Sequence, residues 1–213
     1  MIRAVIFDFD GVLADTMFDN CKAWQEAFAL YGFQMDAIEY YRLEGMGRFQ
    51  IAEYFIEKYL LKPSIKKNLV EAKEMNYKKN NSFKYYDFVN EIFSFLNEKG
   101  ISTAIVTGAS KTRIKEHLDE NISQYLKALV TADDVINTKP NPEPYLTAAA
   151  MLGMNPNECL VIENAILGIE SAKAAGCKCF ALETTLKFED LNGAEEVFDT
   201  HKKLLIKLET IFN

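Results

Sequence analysis

Along the chain, short unbroken runs of apolar residues alternate with longer stretches in which apolar residues recur every three or four positions. The short runs are Ala4–Phe7, Ile101–Val106, Ala128–Val130, Cys159–Ile162 and Cys179–Leu182. Each is too short for a helix and apolar on both faces, the pattern of a strand in a parallel sheet covered on both sides. Four stripes have helical spacing: Phe88, Val89, Ile92, Phe93 and Leu96; Tyr145, Leu146, Ala149 and Leu152; Ile169, Ala172 and Ala175; and Leu204, Leu205, Leu208, Ile211 and Phe212. Gly100, Gly153 and Gly176 follow three of them, where a helix end favours positive φ. Strand and helix in alternation predict an α/β fold, a doubly wound, Rossmann-like parallel sheet.

Between about residues 17 and 82 the alternation stops. Cys21, Trp24, Phe28 and Tyr31 recur at helical spacing up to Gly32, Ala52, Phe55, Ile56 and Tyr59 recur again, and Pro63-Ser64 has the form of a further helix start. No strand pattern interrupts them. The expected organisation is a core from residues 1–15 and 84–213 with a small helical cap domain, 16–83, inserted after the first strand. Such an insertion joins the core through two short segments and is placed to act as a lid. Val197–Phe198 leaves room for one more short strand in a stretch with no assigned role.

Composition narrows the function classes. At 213 residues and 49% hydrophobic, the chain can bury a sizeable core. A net charge of -7 and a pI near 5.0 exclude a surface built for nucleic acid or anionic membrane. The same field repels an anionic substrate, so a phosphate site must gather its own cations. Cys21, Cys159, Cys177 and Cys179 lack the second pair that a zinc site needs and read as reduced, buried thiols. Asp8 and Asp10 break the first apolar run, and no stretch approaches the roughly 20 apolar residues of a membrane span. A soluble cytoplasmic protein is expected, a monomer or weak homo-oligomer whose partner is a small phosphorylated substrate.

The first strand ends in Asp8-Phe9-Asp10-Gly11-Val12. Ligands of α/β sheets bind beyond the carboxyl ends of strands. Residues two apart project the same way in extended chain, so Asp8 and Asp10 repel each other unless a cation or a proton intervenes. Magnesium, which takes oxygen ligands and few protein carboxylates, meets that need. Gly11 permits a turn and a close backbone approach to a ligand.

These residues, with Asp15-Thr16 downstream, resemble the first motif of the haloacid dehalogenase-like superfamily. Thr107 in Val106-Thr107-Gly108, Lys139 before Pro140, and Glu163-Asn164 followed by Gly168, Ala172, Ala175 and Gly176 resemble its second, third and fourth motifs, in order. The resemblance implies that Asp8 is a nucleophile forming an aspartyl-phosphate and that Asp10 is first general acid, then base. It implies Thr107 and Lys139 as groups that bind the phosphoryl oxygens, and Mg2+ held by Asp8, Asp10, Glu163 and Asn164. The amides of Gly108 and Ala109 lead into a helix expected near Ser110 and add donors, and Gly11 lies beside the substrate. Two unit charges ~4 Å apart cost ~4 kcal/mol at an effective dielectric of about 20, which the cations must offset. An aspartate at position 10 points to phosphatases or phosphomutases within the superfamily.

Two departures matter. Asn164 is an amide where the family carries a second acid, so the metal site has one less negative charge. Within the insertion, Gly45-Met46-Gly47-Arg48 and Lys73 resemble substrate-facing positions of the β-phosphoglucomutase branch, with Arg48 suited to bidentate oxyanion binding. Asn20, however, stands where that branch has a histidine. A phosphatase of a small sugar phosphate is therefore expected, with a phosphomutase and a non-catalytic phospho-ligand binder as alternatives. Replacing Glu163 by alanine is expected to abolish magnesium-dependent phosphate release, and unchanged turnover would refute its place in the site.

Overall fold

In the computed structural model, which describes residues 1–213, the apolar runs become one six-stranded sheet. Its strands are β1 (Ala4–Phe7), β2 (Ser102–Val106), β3 (Leu126–Val130), β4 (Cys159–Glu163), β5 (Lys178–Leu182) and β6 (Glu196–Phe198). They lie in the order β3-β2-β1-β4-β5-β6, and every pairing is parallel. The chain thus begins mid-sheet and the strand order reverses at β1. The crevice at its carboxyl end is a topological switch point, where open α/β sheets take their ligands.

The helices are α1 (Met17–Ala29), α2 (Ala37–Arg42), α3 (Arg48–Lys58), α4 (Lys66–Asn80), α5 (Val89–Glu98), α6 (Lys111–His117), α7 (Glu120–Ser123), α8 (Glu143–Leu152), α9 (Ile166–Ala174) and α10 (His201–Phe212). Strand alternation sends Val5 and Phe7 toward α5 and α10, into a cluster with Ile92, Phe93, Leu96, Leu204 and Leu208. It sends Ala4 and Ile6 toward α8 and α9, onto Tyr145, Ala148, Ile169 and Ala172. With both faces covered, the central strands are buried throughout, which is why they read as unbroken apolar runs.

Helices α1 to α4 bury a separate cluster that includes Trp24, Phe28, Met35, Phe55 and Leu69. The segments joining them to the sheet run side by side: Asp15 N–H donates to Lys84 O at 3.0 Å and Tyr86 N–H to Leu13 O at 3.0 Å. All four cysteines are buried and unpaired. No helix is long and apolar enough to cross a membrane.

Several sequence expectations shift locally. Val197–Phe198 falls within β6, an edge strand beside β5. Leu146 is exposed, because it sits about 100° around α8 from the Tyr145 row that the sheet covers. Phe88 has a left-handed backbone (φ 68°), so α5 starts one residue later, at Val89. Helices α2 and α7 have six and four residues, too few to show a period.

The chain has two histidines, and both have pKa values below the ordinary 6.5. Burial is the main cause for each, with Arg113 adding to it at His117. The His201 ring nitrogen Nε2 lies 2.6 Å from Val12 O, and the ring stacks on Tyr86. Between its depressed folded value and 6.5, the unfolded state binds the extra proton. The contribution of neutral His201 is therefore complete above 6.5 and lost as pH falls toward the folded value. Relative to His201→Gln, the wild type is expected to lose thermal stability between pH 7.5 and pH 5, measured as the difference between their melting curves. A constant difference would contradict this.

Candidate active site

At the carboxyl end of β1 a single ammonium group joins two buried carboxylates. Lys139 Nζ lies 2.5 Å from Asp8 Oδ1 and 2.6 Å from Glu163 Oε1. Parallel pairing of β1 with β4 sets this up, since Phe7 is in register with Ile162 and the next residues are Asp8 and Glu163. Glu163 Oε1 also accepts from Tyr145 OH at 2.6 Å, while Oε2 accepts the N–H groups of Asn164 and Ala165 at 3.0 and 3.3 Å. Both of its oxygens are thus taken by protein donors. A Cβ at position 168 would fall 1.8 Å from Glu163 Oε1, so glycine is required there. Burial pushes the Asp8 carboxyl up; Lys139 opposes the rise and Glu163 adds to it. Burial alone would lower the Lys139 pKa, but its two carboxylate partners outweigh that and hold it charged.

Asp10 belongs to a second network. Its Oδ1 accepts from Thr16 Oγ1 at 2.5 Å and Asn20 Nδ2 at 3.3 Å, and its Oδ2 is ion-paired with Arg113. Arg113 and Lys73 both donate to Asn20 Oδ1, at 2.6 and 2.8 Å. Burial, then Arg113, lowers the Lys73 pKa to about 8. Arg113 is a lone arginine on a short helix, with no sequence pattern to single it out. The fold makes it the partner of Asp10.

Asp8, Asp10, Arg48, Lys73, Thr107 and Arg113 line one cavity, together with Gly108 and Ala109. Its volume is about 50 Å³, room for a few waters and too little for a sugar phosphate. Thr107 Oγ1 accepts from Ala109 N–H at 3.0 Å, which engages that amide and leaves the hydroxyl proton for another acceptor. Arg48 turns to Asp133, 3.0 Å away, and stays partly exposed. Gly11, φ +80°, is pressed against Asn164: a Cβ there would fall 2.1 Å from Nδ2. Gly11, Lys139, Glu163 and Asn164 do not line the cavity.

The loop between α2 and α3 roofs the cavity. A Cβ at Gly108 would lie 2.9 Å from Met46 O, and Gly47 N–H donates to Thr138 Oγ1 at 3.1 Å. Glu44 in the same loop accepts from Asn164 Nδ2 at 2.8 Å. Burial raises the Glu44 carboxyl well above its ordinary range; Asn164 opposes this, and the Asp8, Glu163 and Asp10 carboxylates add to it.

The donors around Asp8 suit a hard cation. Oδ1 of Asn164 and Oε2 of Glu44 are the two buried side-chain oxygens with no hydrogen-bond donor. A buried acceptor left so costs about 1–3 kcal/mol, and an oxygen-seeking ion such as Mg2+ relieves it. No three His, Cys, Asp or Glu side chains converge as a ready-made cluster. The oxygens that fit therefore come from a mixed set of carboxylate and amide.

The Haloacid dehalogenase-like hydrolase family profile matches residues 5–182. The chain is 31% identical over 177 residues to the fructose-1-phosphate phosphatase of Escherichia coli, covering 81% of this chain and 92% of that protein. It is 28% identical over 217 residues to the phosphorylated carbohydrates phosphatase of Thermotoga maritima, covering 100% and 97%. The solved structure of β-phosphoglucomutase from Clostridium difficile superposes with a TM-score of 0.84 at 27% identity, covering 99% of this chain and 96% of that one.

Lys139→Met would leave Asp8 and Glu163 facing each other with no cation between them. The expected loss is about 3–5 kcal/mol of folding stability near neutral pH. The Asp8 carboxyl, already pushed up by burial, would lose the cation that opposes the rise, so the folded variant binds more protons than the unfolded chain and weakens as pH rises. Urea unfolding should show a larger deficit at pH 8 than at pH 5; an equal deficit would mean that Lys139 acts through packing alone.

Proposed function

The chain belongs to the haloacid dehalogenase-like hydrolase family as a phosphoric monoester hydrolase, and from that premise we propose that it hydrolyses a small sugar phosphate through a phosphorylated Asp8. The observation that carries this reading is the placement of Asp8: buried, bonded to Lys139, and facing a cavity that also holds Lys73, Arg113 and Arg48. These cations gather locally the positive charge that a chain of net charge -7 otherwise lacks.

In the first step an Asp8 oxygen bonds to phosphorus as the bond to the leaving oxygen breaks. Lys139 holds the Asp8 carboxylate in place and offsets the charge of the transferring oxygens. Thr107 donates its free hydroxyl proton to one of those oxygens. Asp10 delivers a proton to the departing alcohol, then takes one from the water that cleaves the phosphoryl-enzyme and restores Asp8. Arg113, Thr16 and Asn20 orient the Asp10 carboxyl toward the cavity, and one of these bonds opens for its proton to reach the leaving oxygen. Asp8 and Asn164, with Asp10 and Glu163 beside them, are the residues placed to hold Mg2+. When bound, the ion supplies charge that screens the anionic nucleophile from the anionic substrate.

Asn20 supports water over a second sugar hydroxyl as acceptor. Its amide does not titrate, and both ends are committed, to Asp10 on one side and to Lys73 and Arg113 on the other. The likeness to β-phosphoglucomutase and the presence of Arg48 and Lys73 in the cavity favour a phosphomutase as second reading. The two differ in product. With magnesium, a panel of sugar phosphates is expected to release inorganic phosphate, and Asp8→Asn to lower that release by about 10³-fold or more. β-Glucose 1-phosphate with a bisphosphate primer is expected to give free phosphate and no isomer; accumulation of glucose 6-phosphate would establish the mutase instead.

A further inference from the structure

A magnesium site built on Asp8 and Asn164 is short of negative charge. Glu163 shares Lys139 with Asp8 and has donors on both oxygens. Asp10 is neutralised by Arg113 and accepts further from Thr16 and Asn20. Asn164 brings a neutral oxygen. One carboxylate, Asp8, is left to balance a divalent ion.

A second carboxylate is present, and it comes from the other side of the cavity. Glu44 is 5% exposed, lines the cavity with Asp8, and is bonded through Oε1 to Asn164 Nδ2 at 2.8 Å. Its other oxygen, Oε2, and the Asn164 oxygen, Oδ1, are the two orphaned buried acceptors of the molecule. They sit on directly bonded side chains, so one ion can serve both. Gly11 admits the pair: a Cβ there would fall 2.1 Å from Asn164 Nδ2 and 3.1 Å from Glu44 Oε1. Two buried oxygens without donors are costly to desolvate, and a cation between them offsets that cost.

We propose that Glu44 is the second acid of the magnesium site, supplying from the inserted helical region the charge that Asn164 does not carry. This rests on the magnesium-dependent phosphatase reading above. Asp8 and Asn164 stand at the ends of β1 and β4, whereas Glu44 stands on the loop between α2 and α3. The ligand set is then complete only while that loop is seated on the sheet, and metal binding and closure favour each other by linkage. The ion becomes a latch: an open cavity holds it weakly, and a closed one holds it well.

The test is direct Mg2+ binding by calorimetry, paired with amide hydrogen exchange across residues 43–50, on wild type, Glu44→Gln and the charge swap Glu44→Gln/Asn164→Asp. Glu44→Gln is expected to weaken Mg2+ binding about 10–100-fold and to lose the metal-induced protection of 43–50. The swap keeps the hydrogen bond and the net charge but moves the carboxylate to the sheet. It should bind Mg2+ within about threefold of wild type while the metal no longer protects the loop, and it also serves if the single variant does not fold. Wild-type affinity and protection in Glu44→Gln, or loop protection retained in the swap, would overturn the proposal and leave the phosphatase reading standing. A wild type that binds no Mg2+ and needs none for turnover would remove the metal reading itself, and the proposal with it.

Discussion

One ammonium group between two buried carboxylates sets the terms for everything around it. Asp8, Lys139 and Glu163 are all buried at the carboxyl end of β1. Taking such charges out of water is costly, and mutual attraction repays it only where geometry is close and the remaining lone pairs are bonded. The contacts are close, 2.5 and 2.6 Å, and the Glu163 oxygens have further donors in Tyr145, Asn164 and Ala165. The Asp8 carboxyl is thereby held in position by the protein itself, the arrangement that electrostatic preorganisation requires.

The fold exists, from this point of view, to bring those three side chains together. Parallel register places Asp8 beside Glu163, and the loop after β3 carries Lys139 across to both. Glycine at 168 clears the space that the Glu163 carboxylate occupies, and glycine at 108 lets the roof loop lie on the strand end. A cavity of about 50 Å³ is the result. The α2–α3 loop closes that cavity from above, and the paired segments at residues 13–15 and 84–86 anchor the helical region to the sheet.

Charge is distributed with the same economy. The surface as a whole is acidic, yet Lys73, Arg113 and Arg48 converge on the cavity, each held by an acceptor: Asn20, Asp10 and Asp133. Those acceptors keep the cations ordered and partly neutralised. The orphaned oxygens of Glu44 and Asn164 are the converse, buried acceptors with no donor.

Much of this was legible in the residue order. Five unbroken apolar runs specify a buried parallel sheet because period and burial are local properties of the chain; Asp8 and Asp10 stand out as paired carboxylates closing the first run, and Thr107, Lys139, Glu163 and Asn164 through their resemblance to the family's motifs. Leu146 and the start of α5 were misjudged where a stripe's edge or a single left-handed residue decides, details that apolar periodicity does not carry. Arg113 and Glu44 were invisible, since a lone charged residue has no pattern until something faces it. What only the tertiary structure decided is which polar groups meet: Lys139 with Glu163 across 24 positions, Arg113 with Asp10 across 103, and Glu44 with Asn164 across 120. Sequence encodes the elements through short-range periodicity, but the electrostatics of a site depend on distance in space, which the packing of the whole chain sets.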